Sequence, residues 1–257
     1  MRAFLIALCV LVIVTAVFFP ATWLITLAAR DAPALAVDDV SGPWWNGTAR
    51  GTRWGELRLG TVRWRLRGIG IDPRLRLQWA ISGRGPDYRL DGALATRGGR
   101  LDEMRDVRGA IPAAWFAPAG AALALRIEGL IEPDLERVRL DRQSVTTAAG
   151  RMHWTGARVS GSMLQANIPA AELGTVVMEL HSEDEQTTIM NITTRTPADI
   201  TLNGSGSIEA GAWQLEILAR ATGRGHTLLN RLEPYGTRQP GGSLAFRFAG
   251  HGGAAQR

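Results

Sequence analysis

A chain of 257 residues, 46% hydrophobic and 21% charged, is long enough to bury a sizeable core, and its composition excludes wholesale disorder. Its 29 basic residues are all arginine and stand against 24 acidic ones, a formal net charge of +5. The single cysteine, Cys9, excludes a disulfide framework and a thiolate metal site in the rest of the chain.

The chain opens on Ala3 to Ala29, twenty-seven residues without a charge, between Arg2 and Arg30. As a helix this run measures roughly 40 Å, more than a ~30 Å hydrocarbon core. A cleaved signal peptide and a retained anchor are the two readings. A signal carries an apolar core of about 7–15 residues and a small-x-small cleavage site. This run is longer, and its best site, Leu27-Ala28-Ala29, begins with leucine, so the anchor is the better fit. Phe4, Leu5, Val10 and Phe19 are then lipid-facing, Pro20 marks a kink or the end of the strongly apolar part, and Trp23 suits the interface. Arg2 and the amino terminus favour a cytoplasmic N-terminus, which puts the bulk of the chain on the far side. Residues 1–30 are the anchor in this reading, 31–249 a β domain, and 250–257 a loose Gly/Ala-rich tail.

After the linker the text alternates at a period of two. Val37–Val40 leads to a Ser41-Gly42-Pro43 turn, then Trp44-Trp45-Asn46-Gly47 and a strand-like Thr48–Trp54. In Leu57–Leu66 the apolar face changes parity at Gly60, which predicts a bulge there. Leu75, Leu77, Trp79 and Ile81 alternate cleanly, and Tyr88, Leu90 and Leu94 mark another strand. Past Val107 the pattern is interrupted, and it resumes at Leu123–Ile127, Val138–Leu140 and Met152–Trp154. Val176–Leu180, Thr187–Thr193, Ile200–Gly204, Ser207–Glu209, Trp213–Leu218 and Ser243–Phe248 read as a late meander, with one short helix at Thr227–Glu233. A repeated Val-x-Gly, then Trp, then Trp-in-strand arrangement divides the domain into two similar halves, about 36–106 and 107–249.

From Arg50 to Arg108 there are 14 arginines against 7 acidic residues; from Gly109 onward there are 13 against 14. The arginines of the basic stretch alternate with apolar residues, as in Arg63-Trp64-Arg65-Leu66-Arg67, and read as the solvated face of a sheet, not as a nucleic-acid surface. His153, His181, His226 and His251 are not at metal-ligand spacing, and Gly204-Ser205-Gly206-Ser207 lacks the strand-to-helix context of a nucleophile elbow. Glu183-Asp184-Glu185 reads as a solvated loop. No catalytic, cofactor-binding or metal residue is expected. The tryptophans Trp44, Trp45, Trp64, Trp79, Trp115 and Trp154 either fill the core of a twisted sheet or line an apolar face that receives a partner or an acyl chain.

Val40-Ser41-Gly42-Pro43-Trp44-Trp45-Asn46-Gly47-Thr48-Ala49 resembles the V-S-G-T-x-W-x-G-x-A opening of the type II secretion system protein N family, and Gly60-Thr61-Val62-Arg63-Trp64-Arg65-Leu66 is similar to the Gly-x-Val-x-Trp-x-Leu segment that follows it. Val107–Trp115 resembles that family's x-G-x-L-P-A-x-W, and Gly150–Ala157 its G-x-L-x-W-x-x-A, with Pro43 and Ile111 as mild departures. The resemblance implies an inner-membrane accessory component of the general secretion pathway, which exports folded proteins across the outer membrane, with other secretion proteins as partners and no catalysis. The expected architecture is mainly β: one N-terminal transmembrane helix, then an elongated, curved antiparallel sheet in the periplasm. The rival reading is a periplasmic lipid- or lipoprotein-binding module anchored in the inner membrane.

Overall fold

The computed structural model describes residues 20–22, 25–26, 34–71, 75–116, 125–141, 144–161 and 170–251. The anchor residues Phe4, Leu5, Val10, Phe19 and Trp23, and the tail from 252, lie outside the described residues. Among the described residues no helix is long and apolar enough to cross a membrane. The chain is mainly β, its registered strand pairs are antiparallel, and it divides into two compact units, Met1–Gly98 and Gly99–Arg257.

The first unit holds β1 (Leu35–Ala36), β2 (Asp39–Ser41), β3 (Asn46–Trp54), β4 (Leu57–Ile71), β5 (Leu75–Arg84) and β6 (Arg89–Arg97). β3, β4, β5 and β6 lie side by side in that order, and both β1 and β2 pair with β3. The parity change read at Gly60 is a bulge: Ala49 faces Val62 and Thr52 faces Gly60, with the register shifted on both sides of Thr52. Gly60 has φ +58, a left-handed conformation that suits glycine, and an added Cβ would lie 2.6 Å from the Arg84 carbonyl oxygen. After the correction Val62, Trp64 and Leu66 share one face with their partners Ile81 and Trp79, while Arg63 and Arg65 point the other way.

The second unit runs β7 (Arg100–Pro112), a 3-10 turn (Ala113–Phe116), β8 (Leu125–Asp141), β9 (Ser144–Gly161), β10 (Ala171–Ser182), β11 (Thr187–Thr194), β12 (Ile200–Glu209), β13 (Ala212–Ala221), helix α1 (Gly225–Leu232), β14 (Thr237–Arg238) and β15 (Leu244–His251). The sheet follows chain order from β7 to β13, and β15 lies between β13 and β14. Several strands run longer than their apolar alternation suggests. β7 continues through the interruption after Val107 as far as Pro112, β8 and β9 are 17 and 18 residues long, and the two segments 200–204 and 207–209 are one strand. Cross-strand hydrogen bonds need no apolar side chain, so the ladder carries through where the pattern fades.

The register carries one apolar row across eight strands, Val107, Leu135, Gly150, Leu180, Met190, Gly206, Leu215 and Phe248, each opposite the next. The adjacent row on the other face is polar: Arg108, Asp134, Arg151, Glu179, Asn191, Ser205, Glu216 and Arg247. Opposite charges meet within it at Arg108–Asp134 (2.7 Å), Arg151–Glu179 (3.5 Å) and Arg247–Glu216 (3.3 Å). At one end of the apolar face, Leu228 and Leu229 of α1 are buried with Ile200, Ala221 and Leu244, and Leu232 packs against them, as the spacing of those leucines predicts.

The β10–β11 turn is built on Asp184. Its Oδ1 accepts the backbone N–H of Gln186 and of Thr187, both at 2.7 Å, and its Oδ2 accepts the Thr187 hydroxyl at 3.1 Å. Those backbone donors hold the carboxyl below its ordinary range. A group depressed in the folded state contributes stability above its unfolded pKa and loses it as pH falls through the folded one. Asp184→Ala is therefore expected to speed amide exchange at Gln186 and Thr187 at neutral pH. The gap between variant and parent should close as the solution is acidified below the normal carboxylate range.

Candidate functional site

The tryptophans singled out by the sequence fall into two groups, one in each unit. In the first unit, Trp64 is buried at 7% exposure between strands β3 and β5. Its ring lies over Gly47, where an added Cβ would overlap the indole. Its Nε1–H donates to the Trp44 carbonyl oxygen at 2.7 Å, and the Trp44 ring meets Trp79 edge-on with centroids 5.9 Å apart at 71°. Trp44, Trp64 and Trp79 are thus brought together, whereas Trp45 is exposed. The Trp44–Gly47 and Trp64 motifs are two halves of one joint: glycine leaves the space, the indole fills it, and the hydrogen bond fixes the loop before β3.

A further component of this joint carries no signal in the amino-acid pattern. Ala21, just past Pro20 in the opening run, is 1% exposed and clusters with Ala49 and Trp64, with Ile25, Val37, Val40, Trp79 and Ile81 packed around them. The Ala21 N–H donates to the Gly42 carbonyl oxygen at 3.1 Å, and Pro20 forms an isolated bridge with Pro43. Uniform apolarity hid this seat, since nothing in the run marks which of its residues pack against the strands. Nearby, Tyr88 is buried beside Gly83 and Gly85, and its hydroxyl donates to the Leu59 carbonyl oxygen; burial raises its pKa.

In the second unit Trp154 belongs to the apolar face and its Nε1–H donates to the Glu128 carbonyl oxygen at 2.9 Å, while Trp115 sits half-buried in the 3-10 turn after β7. The larger feature here is the apolar face itself. Met104, Met152, Met178, Leu215 and Phe248 are half-buried on it, and no second sheet packs over it among the described residues of the unit. These five lie one to a strand, on β7, β9, β10, β13 and β15, so the extent of the face depends on register.

The polar side chains of the two units have structural partners or stand apart. Asp38 pairs with Arg53 at 3.0 Å and Asp39 with Arg50 at 3.3 Å. His153 lies in β9, His181 is exposed near the end of β10, and Glu183 and Glu185 flank the turn-forming Asp184. Glu103, 4% exposed, is held by Arg105 at 2.8 Å and Arg137 at 3.0 Å. Among the described residues no group of three or more His, Cys, Asp or Glu side chains is placed to hold a metal.

If the Trp64 joint organises the first unit, Trp64→Ala should destabilise the protein by about 3–5 kcal/mol, the cost of emptying a large aromatic site. Trp54→Ala, at an exposed strand end, should cost about 0.5 kcal/mol or less, and denaturant unfolding of the two variants checks both.

Neither the search of curated proteins nor the search of solved structures returned a match. Among protein families, residues 33–247 match the description "Type II secretion system (T2SS), protein N". That match takes in the Trp44–Gly47, Trp64, Trp115 and Trp154 motifs and most of both units, and the chain belongs to the type II secretion system protein N family.

Proposed function

We propose that the protein is an inner-membrane accessory component of the type II secretion pathway, anchored by its opening run, with the β units in the periplasm. It takes part in exporting folded proteins across the outer membrane by binding other components, without chemistry of its own. Family membership supports the pathway. The observation that carries the mode of action is the outer edge of β15. β14 pairs only with Leu244 and Ala245, and among the described residues no strand lies across the outer side of β15 from Phe246 onward. An exposed edge offers unpaired N–H and C=O groups to an incoming strand, and alternate side chains beside it supply selectivity.

The seat of Ala21 in the first unit's core supports retention of the opening run. Cleavage near Ala29 would remove Ala21 and Ile25 from the Trp64 cluster. That would uncover apolar surface that folding had buried.

A second reading, binding of lipid or lipoprotein, draws support from the half-buried apolar face of the second unit. Phospholipid recovered with the purified protein and lost when Met178 and Leu215 are changed to Glu would favour it over strand addition.

Photo-crosslinkers at Arg247 and Ala249, carried by the full chain in cells, test the first reading. Crosslinks to other inner-membrane secretion proteins are expected from these positions and not from Asn203 on the interior strand β12. Equal, background-level products at all three positions would overturn it.

A further inference from the structure

The far end of the β4–β5 hairpin carries a set of side chains that neither the core nor the β15 edge uses. Ile69, Ile71 and Leu75 are 61%, 83% and 50% exposed. Ile69 faces Leu77 and Ile71 faces Leu75 across the pair, so the apolar side chains share one face of the hairpin. Gly70, Arg76 and Arg97 form the row on the opposite face, and Arg67 stands in the bulge between Leu66 and Gly68. Three large aliphatic side chains grouped in water on one face, backed by arginines, have the pattern of an interfacial element and not that of an ordinary solvated strand.

Register places this end of the unit beside the point where the opening run arrives. β3 begins at Asn46, opposite Arg65, and the last link on that side is Leu66 N–H to the Trp45 carbonyl oxygen at 2.7 Å. β4 continues past that level to Ile71. Gly42 and Pro43, which hold Ala21 and Pro20, lie in the turn that leads into the same end of β3. The overhanging tip and the segment that follows Phe19 therefore lie at one end of the first unit.

We propose that Ile69, Ile71 and Leu75 dip into the headgroup layer of a phospholipid bilayer, with the exposed Arg67 directed to anionic lipid phosphates, so that the first unit is seated on the membrane at a fixed orientation. The proposal rests on the anchor reading of the opening run. A few aliphatic side chains bind a bilayer weakly by themselves, but a covalent anchor at the same end supplies a high local concentration of membrane. Arginine favours the anionic surface over a second copy of this basic stretch, because two such surfaces repel. The backbone sets the depth. Among the described residues no strand pairs with β4 beyond Leu66 on the β3 side, and unpaired N–H and C=O groups are costly in hydrocarbon, so the tip stays at headgroup level.

The test uses the full chain with Cys9→Ala, reconstituted in vesicles of phosphatidylethanolamine and phosphatidylglycerol, with an environment-sensitive fluorophore on Ile71→Cys or on Glu56→Cys in the turn at the other end of β4. Nitroxide carried on lipid headgroups should quench the Ile71 probe about threefold more than the Glu56 probe, and Arg67→Gln or vesicles lacking phosphatidylglycerol should reduce that ratio. Equal quenching at both positions in protein that resists alkaline carbonate extraction would overturn the tip proposal and leave the anchor standing. Release by carbonate would overturn the anchor and the proposal together. An Ile71 probe shielded from both lipid-borne and aqueous quenchers would show a protein surface there, which also overturns it.

Discussion

The constraint on which the second unit depends is register. Side chains alternate at a period of two, so a slip of one residue anywhere between β7 and β15 would move a whole strand's apolar set to the charged side. The row from Val107 to Phe248 and its neighbour from Arg108 to Arg247 show that no such slip survives across eight strands. The ion pairs on the polar face are exposed, and each contributes little alone. Their larger effect is discrimination, because a slipped strand would set arginine beside arginine or bury one against Leu180 and Met190.

In the first unit the equivalent role falls to a few close contacts. The Trp64 indole occupies the space left by Gly47 and ties the Trp44 loop through one hydrogen bond. Ala21 closes the cluster from the segment that precedes β1. In this unit the motif residues shared with the family are therefore architectural: Trp44, Gly47 and Trp64 make one joint, and glycine and tryptophan carry no reactive group. This accounts for motifs of glycine and tryptophan in a chain whose acidic side chains near the candidate sites are engaged in ion pairs or a turn, as at Asp38, Asp39, Glu103 and Asp184.

Much of the candidate surface was legible residue by residue but not as a surface. Trp44, Trp64 and Trp79 could be named from the alternation, and their meeting required the β3–β4–β5 register. Leu75 belonged to an alternating run, whereas Ile69 and Ile71 lay past the run read from Leu57 to Leu66, and their position beyond the end of β3 leaves them exposed. Met152 and Met178 lay in segments read as strands, but methionine at an alternating position suits any core, so neither pointed to an uncovered face. Trp45, grouped with the others by its motif, is instead exposed.

Local chemistry set what the sequence determined by itself. Alternation at a period of two called for strands, the change of parity at Gly60 called for a bulge, and Leu228, Leu229 and Leu232 called for a short helix with one apolar side. These signals act over a few residues, where side-chain direction follows directly from backbone period. Tertiary structure alone decided strand lengths, the union of Ile200–Glu209 into one strand, the seat of Ala21 against Trp64, and the continuity of the apolar face. Each of these depends on partners distant in the chain, and a residue's own neighbours hold no record of which strand will lie opposite it.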